Sequence, residues 1–261
     1  ASYRRQRQMC IRDSFMNTPV YFISDIHLKL TLDEGEKKRR DKLYRLFEKI
    51  ADSGGTCFFM GDLFDFYFEY PDLIPKSYFD FFEQTRFLKG KGVSLYFLAG
   101  NHDYWVGDHI KDEIMDKVYL DSKQIEIKGK KFYLTHGDGL LSWDHGYRIL
   151  KKVIRSKIFI WLFHWLHPTI GYRIARFISR SGEEDMHSAD FNKDVRIELQ
   201  QAARSHFDKG CDFMISGHYH LGEIFTVGKG KLAVLGDWFH KPSYAVFDGN
   251  DLKLVEWEND G

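Results

Sequence analysis

Asp25 and His27 stand two residues apart, directly after the apolar run Val20-Tyr21-Phe22-Ile23, and both are side chains that bind divalent cations. On a chain that is still extended, side chains at i and i+2 point to the same side, so one cation could be gripped by both. Alone the pattern is common, a turn-capping Asp beside a surface His. Here it recurs. Asp62 and Asp65 follow Cys57-Phe58-Phe59-Met60-Gly61, and Asn101, His102 and Asp103 follow Leu95-Tyr96-Phe97-Leu98-Ala99-Gly100. His136 follows Lys131-Phe132-Tyr133-Leu134-Thr135, and His218 and His220 follow Phe213-Met214-Ile215-Ser216-Gly217. Apolar strands that each end in a small residue or turn and then a ligand would bring those ligands to one edge of a sheet. Open α/β folds build their sites there.

The set Asp25, His27, Asp62, Asn101, His136, His218 and His220 mixes imidazole, carboxylate and amide oxygen. Such donors suit Mn²⁺, Fe²⁺ or Zn²⁺ better than Ca²⁺ or Mg²⁺, and the absence of thiolates argues against a structural zinc. They are too many for one ion. Two ions about 3.5–4 Å apart and sharing Asp62 would use them, hold a bridging hydroxide and clamp the oxygens of an in-line phosphoryl displacement. The expected reaction is hydrolysis of a phosphate ester or anhydride. His102, oriented by Asp103, reads as a catalytic acid. Asp65, Asp103 and Asp138 read as groups that orient ligands. His240 reads as a rim or structural residue.

Alternation of strand and helix patterns supplies the elements. Strands are expected at Val20 to Ile23, Thr56 to Met60 and Val93 to Ala99, separated by helices over Glu36 to Ala51 and about Pro75 to Lys89. Leu43, Leu46, Phe47 and Ile50 give the first helix its apolar face. Gln124 to Ile127 and Lys131 to Thr135 read as a hairpin around Lys128-Gly129-Lys130. Five later strands from Phe213 to Trp257, divided by glycine turns, read as a second and more antiparallel sheet. The expectation is an α/β fold of two sheets face to face with helices outside.

With 261 residues, 43% hydrophobic, 16% aromatic and 23 Phe, one catalytic domain with a large core is expected over 16–261. Residues 1–15 are basic, lack periodicity and read as a non-native or disordered extension, with Met16 as the natural start. Lys+Arg and Asp+Glu both number 38, so bulk charge points to no partner. Cys10, Cys57 and Cys211 show no paired spacing, which suits a reduced cytoplasmic protein without disulfides. Neither a signal peptide nor an apolar run of the ~18–20 residues that a membrane span requires is visible.

Between the two sheet regions lies an insertion over about 140–206, expected to form a helical cap. From His145 to Gly182 it holds no Asp or Glu, while Arg148, Lys151, Lys152, Arg155, Lys157, Arg173, Arg176 and Arg180 surround the run Ile158 to Leu166. One reading is a core helix pair with solvated basic flanks. The other is a cap that offers apolar surface and positive charge to an anionic lipid or membrane face. The segment has no repeated aromatic platform for stacked bases, so nucleic acid is not an expected partner.

In order, Asp25-Ile26-His27, Gly61-Asp62-Leu63-Phe64-Asp65, Gly100-Asn101-His102-Asp103, Thr135-His136-Gly137-Asp138 and Gly217-His218-Tyr219-His220 resemble the blocks of the calcineurin-like metallophosphoesterases. The likeness runs from Val20 onward. It implies a four-layer α-β-β-α sandwich, with Asp25, His27, Asp62 and His220 at one ion and Asp62, Asn101, His136 and His218 at the other. Within that superfamily the chain is most similar to the UDP-2,3-diacylglucosamine diphosphatases of lipid A biosynthesis. The grounds are Gly61-Asp62-Leu63-Phe64, His136-Gly137-Asp138 with Asp144 beyond it, and the basic insertion. That resemblance implies a monomeric peripheral protein on the cytoplasmic face of the inner membrane, usually using Mn²⁺, that yields UMP and a diacylated glucosamine 1-phosphate. Asp144, His102, Arg176 and Arg180 are the substrate contacts it suggests. The chain departs from that family at His102, where members carry Arg, and over 179–188, where they place lysines. An alkoxide leaving group benefits from a general acid such as His102, whereas a phosphate leaving group does not require one. A soluble phosphomonoester or phosphodiester substrate therefore stands as the alternative, and a binding protein without turnover as a third reading.

Overall fold

Every residue of β2 (Val20–Ile23) and β3 (Thr56–Phe59) is buried, so these strands are covered on both faces. A computed structural model of the chain describes residues 11–12, 16–70, 72–173 and 189–257. In it β2, β3, β4 (Ser94–Leu98) and β5 (Lys117–Tyr119) pair in parallel. Between them run α1 (Glu34–Ser53) and α2 (Phe79–Gly90). Asp33 caps α1 by accepting a hydrogen bond from the Glu36 amide at 2.8 Å.

The second sheet contains β1 (Ile11–Arg12), β6 (Lys123–Ile127), β7 (Lys130–Leu134), β8 (Phe213–Ser216), β9 (Leu221–Val227) and β10 (Gly230–Gly236). Its order is β1-β6-β7-β8-β10-β9. Ile11–Arg12, part of the stretch read as an extension, lie parallel to Ile125–Glu126 at the sheet edge.

Three apolar clusters fill three interlayer spaces, which makes four layers. Tyr21, Ile23, Phe59 and Phe97 pack against Leu43, Phe47 and Ile50 of α1 and Phe81 of α2. On the opposite face Val20, Phe22 and Phe58 meet Phe132, Ile215 and Ala233 of the second sheet. Beyond that sheet, Met214, Leu232 and Val234 meet Val195, Leu199 and Ala203 of α5 (Ala189–Phe207). Period-2 alternation thus assigns each strand residue to one space or the other. Cys57 and Cys211 are buried and are not joined in a disulfide.

The C-terminal strands correct the expected layout. β11 (Ser243–Phe247) and β12 (Leu252–Glu256) do not join the second sheet; they extend the first, with β11 antiparallel to β2. β8 is parallel to both β7 and β10, so the second sheet is less antiparallel than expected. Alternation says which faces of a strand are buried, and leaves open which sheet edge receives it.

The cap expected over about 140–206 ends earlier, because residues 189–206 belong to α5 of the outer layer; it begins with α3 (His145–Ile154) and α4 (Lys157–His164), neither of which has a buried residue. Phe163 packs on Phe68 with ring centroids 4.5 Å apart, and the Trp105 indole donates to the Ile154 carbonyl at 3.0 Å. The outer face carries Ile158, Trp161 and Trp165, which are 73%, 58% and 76% exposed. No helix among the described residues is long and apolar enough to cross a membrane.

Candidate metal centre

Because β2, β3 and β4 run parallel, their carboxyl ends lie along one edge, and β7, β8 and β10 place theirs opposite. Just past those ends the chain turns sharply. Asp25, His27, Asp62, His218 and His220 all have left-handed backbones, with φ of 53°, 47°, 51°, 68° and 54°. For residues other than glycine this conformation costs about 1–3 kcal/mol and persists only where the surroundings over-determine it. The loops are fixed to each other: the Asp25 amide donates to Gly61 O at 3.1 Å and the His27 amide to Asp62 O at 2.9 Å. Two glycines allow the approach. A Cβ on Gly100 would lie 2.1 Å from Asp62 Oδ1, and one on Gly217 would lie 2.6 Å from Asp25 Oδ2.

All seven donors expected from the sequence converge. Donor atoms of Asp25, His27 and His220 lie within 4.8 Å of one another, as do those of Asp62, His136 and His218. Asp62 joins the two groups, its Oδ2 being 3.1 Å from His136 Nε2 and 3.9 Å from His27 Nε2. Asn101 Oδ1 lies 3.0 Å from His136 Nε2. His220 Nε2 is 3.2 Å from Asp25 Oδ1. The carboxylates are deeply buried, whereas Asn101, His102, His218 and His220 are half-buried and open the cluster outward.

The electrostatics call for a cation. His136 Nδ1 donates to the Met60 carbonyl at 2.9 Å, which turns Nε2 toward the oxygens of Asp62 and Asn101. Burial by itself would lower the His136 pKa, but the Asp62 carboxylate raises it to about 10. Positive charge is therefore favoured where Nε2 meets those oxygens. By contrast burial and His102 push His27 down to about 3, and burial and His136 push His218 down to about 4. Neutral imidazoles facing buried carboxylates are the donor set of a divalent metal site.

The profile of the calcineurin-like phosphoesterases matches residues 18–222, which contain all of these ligands. The chain belongs to that family. Curated relatives share most of its length. The UDP-2,3-diacylglucosamine hydrolase of Porphyromonas gingivalis is 31% identical over 260 residues, 94% of this chain and 99% of that protein. The enzyme of the same name from Aeromonas salmonicida is 30% identical over 246 residues, 90% of this chain and 92% of its own. Among solved structures, vacuolar protein sorting 29 of Cryptosporidium parvum aligns with a TM-score of 0.46 at 15% identity, covering 94% of this chain and 100% of that one.

Around the ligands of this phosphoesterase the structure revises one expected contact. His102 is not oriented by Asp103: its Nδ1 donates to the Asp65 carbonyl oxygen at 2.7 Å, leaving Nε2 3.9 Å from Asp62 Oδ2. Burial opposes charge on His102, but the Asp62 carboxylate and the Asp65 carbonyl raise its pKa on balance. Asp103 is instead a buried clamp. It accepts from the amides of Gly100 at 2.8 Å, Leu63 at 2.6 Å and Asp62 at 3.3 Å, holding two ligand loops together. A residue that short, in a crowded loop, reaches backbone amides more readily than a neighbouring ring.

Asp138 meets the cap. Its Oδ2 lies 2.7 Å from Lys151 Nζ and 3.3 Å from Arg155 Nη2, and it accepts from the Tyr147 hydroxyl at 2.9 Å. Arg155 also donates to the Gly100 carbonyl at 3.2 Å. Sequence reasoning placed Lys151 and Arg155 in a basic flank and missed Tyr147; their spacing of four residues, one stripe of a helix, was the available signal. Asp237 was missed as well. It lies 3.5 Å from His220 Nδ1 and accepts from the His240 amide at 2.6 Å. Asp144 stands at the N-cap of α3, its carboxylate making no capping bond. Arg176 and Arg180 lie outside the described residues.

Proposed function

We propose that this phosphoesterase hydrolyses the pyrophosphate of UDP-2,3-diacylglucosamine to UMP and 2,3-diacylglucosamine 1-phosphate, in lipid A biosynthesis. The observation that carries this reading is the placement of the cap. α3 is bonded to Asp138 beside the ligands, and α3 and α4 turn Ile149, Ile158, Trp161 and Trp165 outward. Apolar surface next to a phosphate-cleaving centre suits a substrate that joins a phosphoanhydride to acyl chains. The names of the relatives support the same substrate.

Asp25, His27, Asp62 and His220 would hold one divalent ion, and Asp62, Asn101, His136 and His218 the second, with Mn²⁺ the first candidate and Fe²⁺ or Zn²⁺ the alternatives. Such ions polarise phosphoryl oxygens and make water a nucleophile at neutral pH. A water gives up a proton to solvent and its oxygen bonds to one phosphorus, the P–O bond to the bridging oxygen breaks, and the second phosphate leaves with the electron pair. That phosphate leaves without needing a proton. His102, its Nδ1 donated to the Asp65 carbonyl, turns Nε2 toward the ligands, 3.9 Å from Asp62 Oδ2, where it would donate to a phosphoryl oxygen. Asp103 and the left-handed loops keep the donors in place.

The enzyme acts as a peripheral, monomeric protein at the cytoplasmic face of the inner membrane. The exposed tryptophans and isoleucines, with Lys152 and Lys157 beside them, supply the contact. The test is Mn²⁺-supplemented hydrolysis of UDP-2,3-diacylglucosamine in detergent, with a phosphodiester chromogen in parallel. Release of UMP well ahead of chromogen cleavage is the expected result. Brisk chromogen cleavage without UMP would move the substrate to a soluble phosphoester, for which His102 would act as a general acid.

A further inference from the structure

A second surface borders the ligands, and among the described residues none of its lining comes from the cap. It is a groove of about 550 Å³ between the start of α1 and the loop from β10 to β11, within the range of about 300–1,000 Å³ common for small-ligand sites. Its Phe239 and His240 lie between the groove and the Asp25, His27 and His220 donors. The Phe239 ring lies 6.1 Å from the His27 ring, and Asp237 Oδ2 faces both His220 Nδ1 and His240 Nδ1, the latter at 3.1 Å.

The walls are cationic. Lys29, Lys38, Arg39 and Lys42 line the groove with two carboxylates, and both carboxylates are engaged. Asp33 caps α1, and Glu36 accepts from Arg40 Nε at 2.8 Å and from the Lys29 amide at 3.0 Å. Lys38 and Lys42, one helical turn apart, have no carboxylate partner among the described residues. Arg39 is fixed by donation to the His27 carbonyl at 2.8 Å, with its guanidinium 4.2 Å from the centre of the Phe239 ring.

Excess positive charge and an aromatic wall together describe a site for a phosphate joined to a flat ring. We infer that this groove holds the nucleoside monophosphate half of the substrate while the cap takes the other half, an assignment that rests on the pyrophosphate reading above. The bond to be broken then spans the ligands, from the His27 side to the Asp138 side.

The test is calorimetric titration of the full chain with UMP, ribose 5-phosphate and inorganic phosphate. Wild-type protein is expected to bind UMP at least about tenfold tighter than inorganic phosphate, because phosphate gains no ring contact. The double variant Lys38→Glu/Lys42→Glu, confined to the surface of α1, should weaken UMP, ribose 5-phosphate and inorganic phosphate alike, UMP by at least about tenfold. Phe239→Ala should weaken UMP and leave ribose 5-phosphate unchanged. Equal affinity for UMP and phosphate, or UMP binding that ignores the lysine substitutions, would overturn the assignment. The two readings fail separately. UMP released from the lipid substrate with no groove dependence removes only the groove, whereas groove-dependent UMP binding without lipid hydrolysis supports the groove and removes only the lipid.

Discussion

The ligand loops and the cap sit on opposite sides of the same chemistry and are built by opposite means. At the loops, buried carboxylates, left-handed backbones and glycines in contact leave each side chain one position. The cap has no buried residue in α3 or α4 and is fastened through Asp138, Trp105 and the aromatic segment around Phe68. The difference teaches that the ligand set is held by the rigid part, while the surface beside it contributes little to folding and is free to vary in shape and charge.

The largest expected effect is at the shared ligand. Asp62→Ala should lower turnover of every phosphoester by about 10²–10³-fold or more, with loss of bound metal measured by elemental analysis. If metal and turnover survive, the rigid side of the comparison is wrong. Gly100→Ala comes next. A Cβ placed 2.1 Å from Asp62 Oδ1 should cost about 1–3 kcal/mol in denaturant unfolding and reduce metal content.

Asp138→Asn tests the join between the two regions. Turnover of the lipid substrate should fall about tenfold, and that of a small chromogen less, since the loss acts through the cap. A pH series sharpens the point. Burial favours a neutral Asp138, but His136, Lys151 and Arg155 hold its pKa below the ordinary carboxylate value. With the folded pKa depressed, this attachment stabilises the protein above the unfolded value and is lost as pH falls through the folded one. Tryptophan fluorescence should therefore report cap loosening in acid for wild type and no such acid step for Asp138→Asn.

The smallest effect on folding is expected on the outer face. Trp161→Ser and Trp165→Ser should change stability by no more than about 0.5 kcal/mol and yet weaken co-sedimentation with phosphatidylglycerol vesicles. A large loss of stability would mean that these residues pack within the fold, and the contrast between the regions would disappear.

Most of the site was legible in the chain itself. An apolar run followed by a metal-binding side chain is a local pattern, and repeating it was enough to name Asp25, His27, Asp62, Asn101, His136, His218 and His220, which the fold brings together. Helix α1 and strands β2, β3 and β8 were equally local, since periodicity and glycine stops mark them without reference to any neighbour. Long-range geometry decided the rest. β11 could alternate correctly in either sheet, and only the open edge of β2 placed it in the first. Asp103 beside His102 suggested a pair, yet folding turned one toward backbone amides and the other toward the Asp65 carbonyl. The groove at Phe239 joins residues from α1 to a loop about two hundred positions later, so no spacing in the sequence could announce it. Residue types and strand ends determined the chemistry, because a ligand's identity is local; tertiary structure decided which groups orient it and what lies on either side, because those contacts exist only once the layers have packed.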